Sequence, residues 1–60
     1  MYNIGQEVWI KVQTKPTKVT IKGIYKPVEE LLFLVENDDL SIALEERYLF
    51  PTKEGLIKSL

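Results

Sequence analysis

Apolar and polar residues alternate singly near the start of this chain, and this alternation limits its fold more than any other feature. Aliphatic residues occupy every second position of residues 8–12 and again of residues 19–21. Because successive side chains of a strand point to opposite faces, each segment predicts a half-buried strand. The chain is therefore expected to build a sheet that turns one face inward.

Residues typical of turns divide the chain into further strands. The predicted strands span about residues 7–13, 18–26, 30–36 and 40–45. Connections are expected at residues 14–17, at 27–30 and at Asn37-Asp38-Asp39, which hold Pro, Asn or Asp. At Gly23 the alternation slips by one residue, which predicts a β-bulge or a barrel corner, with an unusual φ, inside a long, bent strand. Residues 45–50 fit either a 3₁₀ turn or a short closing strand.

The C-terminal segment, about residues 53–60, is predicted to be a short helix with Thr52 as its N-cap. Leu56, Ile57 and Leu60 share one face at helical spacing. A helix of this length is unstable alone, so we expect it to dock on residues 31–35, a strand that is apolar on both faces and should be covered on both.

Composition excludes several classes of function. The chain of 60 residues has no Cys and no His, which removes disulfides, thiolate nucleophiles, imidazole bases and the commonest zinc ligands. No catalytic residues, metal ligands or cofactors are expected, and the protein is not expected to be an enzyme. Apolar runs are too short for a membrane span, which needs about 20 residues. No signal-peptide pattern is visible, which predicts a cytoplasmic location.

Three features resemble those of small SH3-like β-barrels: residues 4–8 (IGQEV), Gly23-Ile24 in the bent second strand, and the doubly apolar third strand. Residues 50–54 (FPTKE) resemble the tail of short proteins common in Gram-positive bacteria and their phages. In that group a Glu usually stands where this chain has Gly55. The resemblance implies a mainly β, SH3-like barrel of four to five antiparallel strands with a short C-terminal helix, and a phage or mobile-element protein of unassigned activity.

Charge is divided unevenly along a chain whose net charge is −1. The segment 8–28 holds five lysines and no acid, whereas the segment 29–48 holds seven acids and one arginine. One interpretation is that a basic half-sheet and an acidic half-sheet pair through cross-strand contacts. The other is a dipolar surface with a basic face and an acidic face for partners.

Trp9 is the most informative residue of the basic segment. By alternation it shares the polar face of its strand with lysines, away from the aliphatic core residues. Binding hot spots are enriched in Trp, Tyr and Arg, so an exposed indole among lysines predicts a binding face. The alternative is that Trp9 caps one end of the barrel and is buried. The candidate binding residues are Trp9, Lys11, Lys18, Thr20, Lys22, Tyr25, Lys26, Arg47 and Tyr48.

The expected function is that of a non-catalytic interaction module that binds a protein partner through this face. A protein partner is favoured because small nucleic-acid-binding domains usually carry net positive charge. The alternative is a nucleic-acid-binding protein that uses Trp9 and the strip formed by Lys11, Lys18, Lys22 and Lys26. A third hypothesis, a weak metal-dependent hydrolase, would involve Asp38 and Asp39. The apolar residues 31–35 and 56–60 are expected to form core beneath the helix. The alternative is that part of this surface stays exposed and forms the contact of a homo-oligomer or another partner.

Overall fold

The protein is mainly β, with four antiparallel strands in one open sheet and a short C-terminal helix. The computed structural model describes residues 2–26 and 29–60. The strands lie in sequence order and are β1 (Glu7–Val12), β2 (Lys15–Tyr25), β3 (Leu32–Glu36) and β4 (Ser41–Glu45). A 3₁₀ helix (Glu46–Tyr48) and the helix α1 (Lys53–Lys58) follow. Of the connection predicted at 27–30, Pro27 and Val28 lie outside the described residues.

The first hairpin turns at Gln13 and Thr14, and β2 begins directly after them. Their φ angles of 49° and 69° place both residues in the left-handed region, as a type I′ turn requires. The prediction that residues 14–17 form the connection is therefore wrong. Pro16 lies inside β2, opposite Lys11 of β1.

Pro16 removes no hydrogen bond from the ladder because its nitrogen points away from β1. Trp9 exchanges both of its main-chain hydrogen bonds with Phe50. Its pairing with Lys18 on β2 is therefore a non-hydrogen-bonded one. Hydrogen-bonded and non-hydrogen-bonded pairs alternate along an antiparallel ladder. Lys11 and Pro16, two positions further along, therefore also form a non-hydrogen-bonded pair. On the other side of β2, pairing with β3 starts only at Thr20.

The predicted bulge is present, and Lys22 is its extra residue. The register of β2 against β3 shifts between Ile21 and Gly23. The shift puts Ile24 opposite Phe33, on the inner face of the sheet. Only Gly5 among the described glycines has a positive φ, so the unusual φ expected at the bulge is absent. A Cβ at position 23 would lie 3.0 Å from Tyr25 Oη, so a larger residue there would require the exposed ring of Tyr25 to shift.

The core lies against the inner face of the sheet. Its buried members are Val8, Ile10, Val19, Ile21, Phe33, Val35 and Leu49. Tyr2 packs over this cluster, with its ring edge-on to that of Phe33 at a centroid distance of 5.9 Å. The hydroxyl of Tyr2 donates a hydrogen bond of 3.2 Å to the carbonyl oxygen of Leu49. The N-terminal segment is thereby joined to the residue that follows the 3₁₀ helix.

β3 is fully buried on one face only, which corrects the prediction of a strand covered on both sides. Phe33 and Val35 are buried, whereas Leu32 and Leu34 are half-buried on the outer face. An open sheet with its helix on the inner side leaves these two leucines without a covering element among the described residues.

Of the two alternatives predicted for residues 45–50, the 3₁₀ turn is present and the closing strand is reduced to a single bridge. The 3₁₀ helix comes first, and Phe50 then forms an isolated antiparallel bridge with Trp9. Because this bridge sets the chain beside β1, α1 packs mainly against β1 and β2, and the predicted docking on residues 31–35 is wrong.

The helix itself begins as predicted. Thr52 is the N-cap, and its Oγ1 accepts a 3.0 Å hydrogen bond from the backbone N–H of Gly55. Only Leu56 of the predicted apolar face is buried, because Ile57 and Leu60 are 48% and 59% exposed. A helix of six residues over the end of a sheet has one turn of contact, and only one side chain reaches the inner face.

Candidate functional site

Trp9 lies on the outer face of β1 among cations. Its partner across the hairpin is Lys18, and Lys11 follows it on the same face, two residues along the strand. The Nζ atom of Lys53 lies 5.8 Å from the centroid of the indole ring, within the range of a cation–π contact. Trp9 is half-buried, so part of the ring remains accessible. We call Trp9, Lys11, Lys18 and Lys53 the Trp9 patch.

Lys53 is the member of this patch that the sequence analysis missed. It lies 44 positions from Trp9 in the chain and approaches it because Phe50 is bonded to Trp9. The signal that indicates it is the segment FPTKE, in which a lysine follows the bridging residue by three positions.

The charge of Lys18 is partly compensated. Its Nζ lies 3.4 Å from Oε1 of Glu7, and both side chains are more than half exposed. Such exposed pairs contribute little and are screened by salt. The other ion pair among the described residues joins Arg47 to Glu45. Neither pair joins the basic segment 8–28 to the acidic segment 29–48, so the predicted cross-strand neutralisation is not seen there.

The remaining predicted residues of β2 do not join the patch. Thr20 is half-buried opposite Glu7, and Lys22 is the exposed bulge residue. Tyr25 lies beyond the bulge and beside β3, and Lys26 follows the end of the strand. At ~3.3 Å per residue, the chain from Lys18 to Lys26 extends over about 26 Å. The predicted lysines form a long row rather than a compact cluster.

Arg47 and Tyr48 lie with Lys11 along a groove of about 300 Å³ between the 3₁₀ helix and α1. Its apolar walls include Ile10, Leu44, Phe50 and Leu56. The charged side chains that line it are Lys11 and Arg47, and none of its lining residues is acidic. The groove therefore combines apolar walls with a positive rim.

The 3₁₀ helix orients the positive rim. The guanidinium of Arg47 lies 5.0 Å from the centroid of the Tyr48 ring, and its Nη2 donates a 3.0 Å hydrogen bond to Oε1 of Glu45. The carboxylate of Glu45, followed by Tyr48, raises the pKa of Arg47 above its ordinary value. This residue therefore stays cationic throughout the accessible pH range.

The groove and the Trp9 patch adjoin each other. Phe50 lines the groove and is bonded through its main chain to Trp9. Lys11 belongs to both, since it lines the groove and follows Trp9 along β1. The structure thus places three predicted residues along one groove, Lys11, Arg47 and Tyr48. Trp9 lies in the adjoining patch.

Neither a metal site nor a membrane-spanning helix is found in the described parts of the chain. Residues 2–26 and 29–60 contain no group of three or more His, Cys, Asp or Glu side chains that could hold a metal ion. Within the same residues, no helix combines the length and the apolar character needed to cross a membrane. Asp38 and Asp39 are exposed in the turn between β3 and β4.

Comparison of the chain with protein-family models, with curated proteins and with solved structures gives no match.

Proposed function

We propose that this chain is a non-catalytic binding module that holds an acidic, partly apolar segment of a protein partner in the groove and on the Trp9 patch. The observation that supports this most directly is the composition of the groove. Apolar side chains form its walls, Lys11 and Arg47 line it, and no acidic residue does so. An apolar side chain next to a carboxylate fits that arrangement.

The size of the groove also supports a peptide segment. At about 300 Å³ it lies at the small end of the range for ligand pockets, which is roughly 300–1,000 Å³. That volume suits a few side chains of an extended segment. Tyr48 lines it and Trp9 lies in the adjoining patch, and both are residue types that contribute strongly to protein interfaces.

An SH3-like barrel is the finer fold that belongs to this proposal. It is supported by the Phe50–Trp9 bridge, which returns the chain to the edge of β1 that β2 does not occupy. Closing a sheet on itself requires such a return. β1 then has neighbours on both sides, which holds Trp9 and Lys11 in fixed positions before a partner binds and lowers the entropic cost of binding.

Nucleic-acid binding is the second candidate, and the Trp9 patch favours it. Proteins bind single-stranded nucleic acids by stacking bases on aromatic rings and by attracting the phosphates with positive charge. The indole of Trp9, among Lys11, Lys18 and Lys53, offers both. The apolar walls of the groove favour the protein partner over this candidate, because a phosphate backbone gains nothing from them.

Titrations followed by Trp9 fluorescence distinguish the two candidates. The probes are a peptide with Leu or Phe between Asp and Glu residues, the same peptide with Lys in place of the acids, and a single-stranded oligonucleotide. We expect the acidic peptide to bind, with affinity reduced about tenfold by Lys11→Glu through lost charge complementarity. Lys22→Glu is the matched control and should leave affinity unchanged.

Two outcomes would overturn the proposal. One is equal weakening by Lys11→Glu and Lys22→Glu, which would place the contact elsewhere. The other is binding of the oligonucleotide alone, with an affinity that falls steeply with salt, which would favour the nucleic-acid candidate.

A further inference from the structure

β4 forms one edge of the sheet and carries no lysine, proline or β-bulge, three of the features that protect an edge. Among residues 2–26 and 29–60 its only strand neighbour is β3, and their register runs without a bulge. Residues 41–45 contain no Lys and no Pro, the residues with which proteins commonly block pairing at such an edge. This strand is therefore open to pairing with another strand.

The turn before β4 shows which main-chain groups face outward. The N–H of Asn37 donates to the carbonyl oxygen of Leu40 at 3.0 Å, which makes this a hydrogen-bonded pair in the register of β3 and β4. Hydrogen-bonded pairs alternate along an antiparallel ladder. The main chains of Ile42 and Leu44 therefore bond to β3. The N–H and C=O groups of Ser41, Ala43 and Glu45 point away from β3.

We propose that this edge binds the same edge of a second copy, in an antiparallel pair centred on Ala43. A two-fold axis at Ala43 sets it opposite Ala43 of the second copy, and Ser41 opposite Glu45. All three outward residues then occupy hydrogen-bonded positions, and each strand uses all its free donors and acceptors. A centre at Ile42 or Leu44 would pair only two of these three residues of each strand within β4.

The side chains fit the same register. On the inner face, Ile42 meets Leu44 of the second copy, and Ile42 is 44% exposed in the single chain. On the outer face, the small side chains of Ala43 meet at the axis. The pairing therefore covers an apolar side chain that the single chain leaves accessible.

The charged residue of β4 does not meet a like charge in this register. Glu45 is the only charged residue of β4, and Arg47 of the same chain lies 3.0 Å from it. Across the axis Glu45 meets Ser41, so no like charges lie opposite each other. The inference does not rest on the proposed function, because none of the outward residues Ser41, Ala43 and Glu45 lines the groove.

Sedimentation velocity on the full chain tests the pairing, from about 10 µM to about 1 mM, since so small an interface is expected to be weak. We expect a dimer that grows with concentration. Ala43→Lys should weaken it at least about tenfold, because two ammonium groups would meet at the axis. Ala43→Thr is the control and should retain it. Circular dichroism establishes that both variants fold.

Amide hydrogen exchange tests the register. Raising the concentration should slow exchange at Ser41, Ala43 and Glu45, whereas Ile42 and Leu44 should change little because they already bond to β3. The inference is overturned by a chain that stays monomeric throughout, by a dimer that Ala43→Lys leaves intact, or by new protection at other residues, such as those of α1.

Discussion

The main chains of Trp9 and Phe50 exchange two hydrogen bonds, from Trp9 N to Phe50 O at 2.8 Å and from Phe50 N to Trp9 O at 2.9 Å. This pair joins residues that lie 41 positions apart in the sequence. Because of it, Lys53 reaches the indole, and α1 lies beside β1 rather than on β3. The groove between α1 and the 3₁₀ helix is therefore a consequence of one main-chain contact.

The left-handed hairpin turn leads to a stability prediction. Thr14 has a β-branched side chain at a φ of 69°, where side chains cost about 1–2 kcal/mol relative to glycine. Thr14→Gly should therefore raise the free energy of unfolding by about 1 kcal/mol, and the melting temperature by roughly 4–8 °C for a domain of this size. Thermal denaturation measures both.

Thr20→Gly is the control for that change. Thr20 lies within β2, where glycine weakens a strand by roughly 0.5–1 kcal/mol. Destabilisation by both substitutions would contradict the type I′ geometry at residues 13 and 14.

The cap of α1 leads to a second prediction. Thr52 Oγ1 accepts a hydrogen bond from the N–H of Gly55, and loss of such a cap costs about 1 kcal/mol. Thr52→Ala should lower the free energy of unfolding by that amount in a urea titration, and Thr52→Ser should retain most of it. An unchanged stability in the alanine variant would show that α1 contributes nothing to the packed fold.

Tyr2 leads to a prediction about pH. Burial raises the pKa of its phenol, and the neighbouring charge of Glu46 raises it further. As the pH rises above about 10, the ordinary value for tyrosine, the unfolded chain loses this proton before the folded one does. The unfolded state then binds fewer protons, so the contribution of Tyr2 to stability is present below that pH and is lost above it.

Tyr2→Phe isolates this effect. Without the hydroxyl, the melting temperature should fall less steeply between about pH 9 and 11 than in the parent chain. At neutral pH the variant should lose about 1 kcal/mol with the hydrogen bond to Leu49. Tyr25→Phe provides the comparison, because Tyr25 is 54% exposed. A steeper alkaline fall in Tyr2→Phe than in the parent chain would contradict the stated cause.

The sequence predicted the sheet because the evidence for it is local. Single alternation along β1 sets its two faces, and the slip at Gly23 marks the bulge, since a register change must appear as a change of parity. Both follow from the period of a strand and need no knowledge of distant contacts. The position of Trp9 on the outer face follows in the same way.

The groove could not be predicted from these local patterns. Its walls come from β1, β4, the 3₁₀ helix and α1, and only the Phe50–Trp9 bridge brings them together. Pro16 was misjudged for a related reason. Whether a proline interrupts a strand depends on which neighbour its nitrogen would face, and that is a property of the assembled ladder. The docking of α1 on β1 likewise depends on where the preceding residue is held.

Mapping of amide and indole chemical shifts by NMR, during titration with the acidic apolar peptide, tests the proposed binding surface most directly. Binding in the groove predicts shifts at the Trp9 indole N–H, Lys11, Arg47 and Tyr48, with Lys22 and Tyr25 unaffected. Shifts concentrated at Lys22 and Tyr25, or none at saturating peptide, would contradict it.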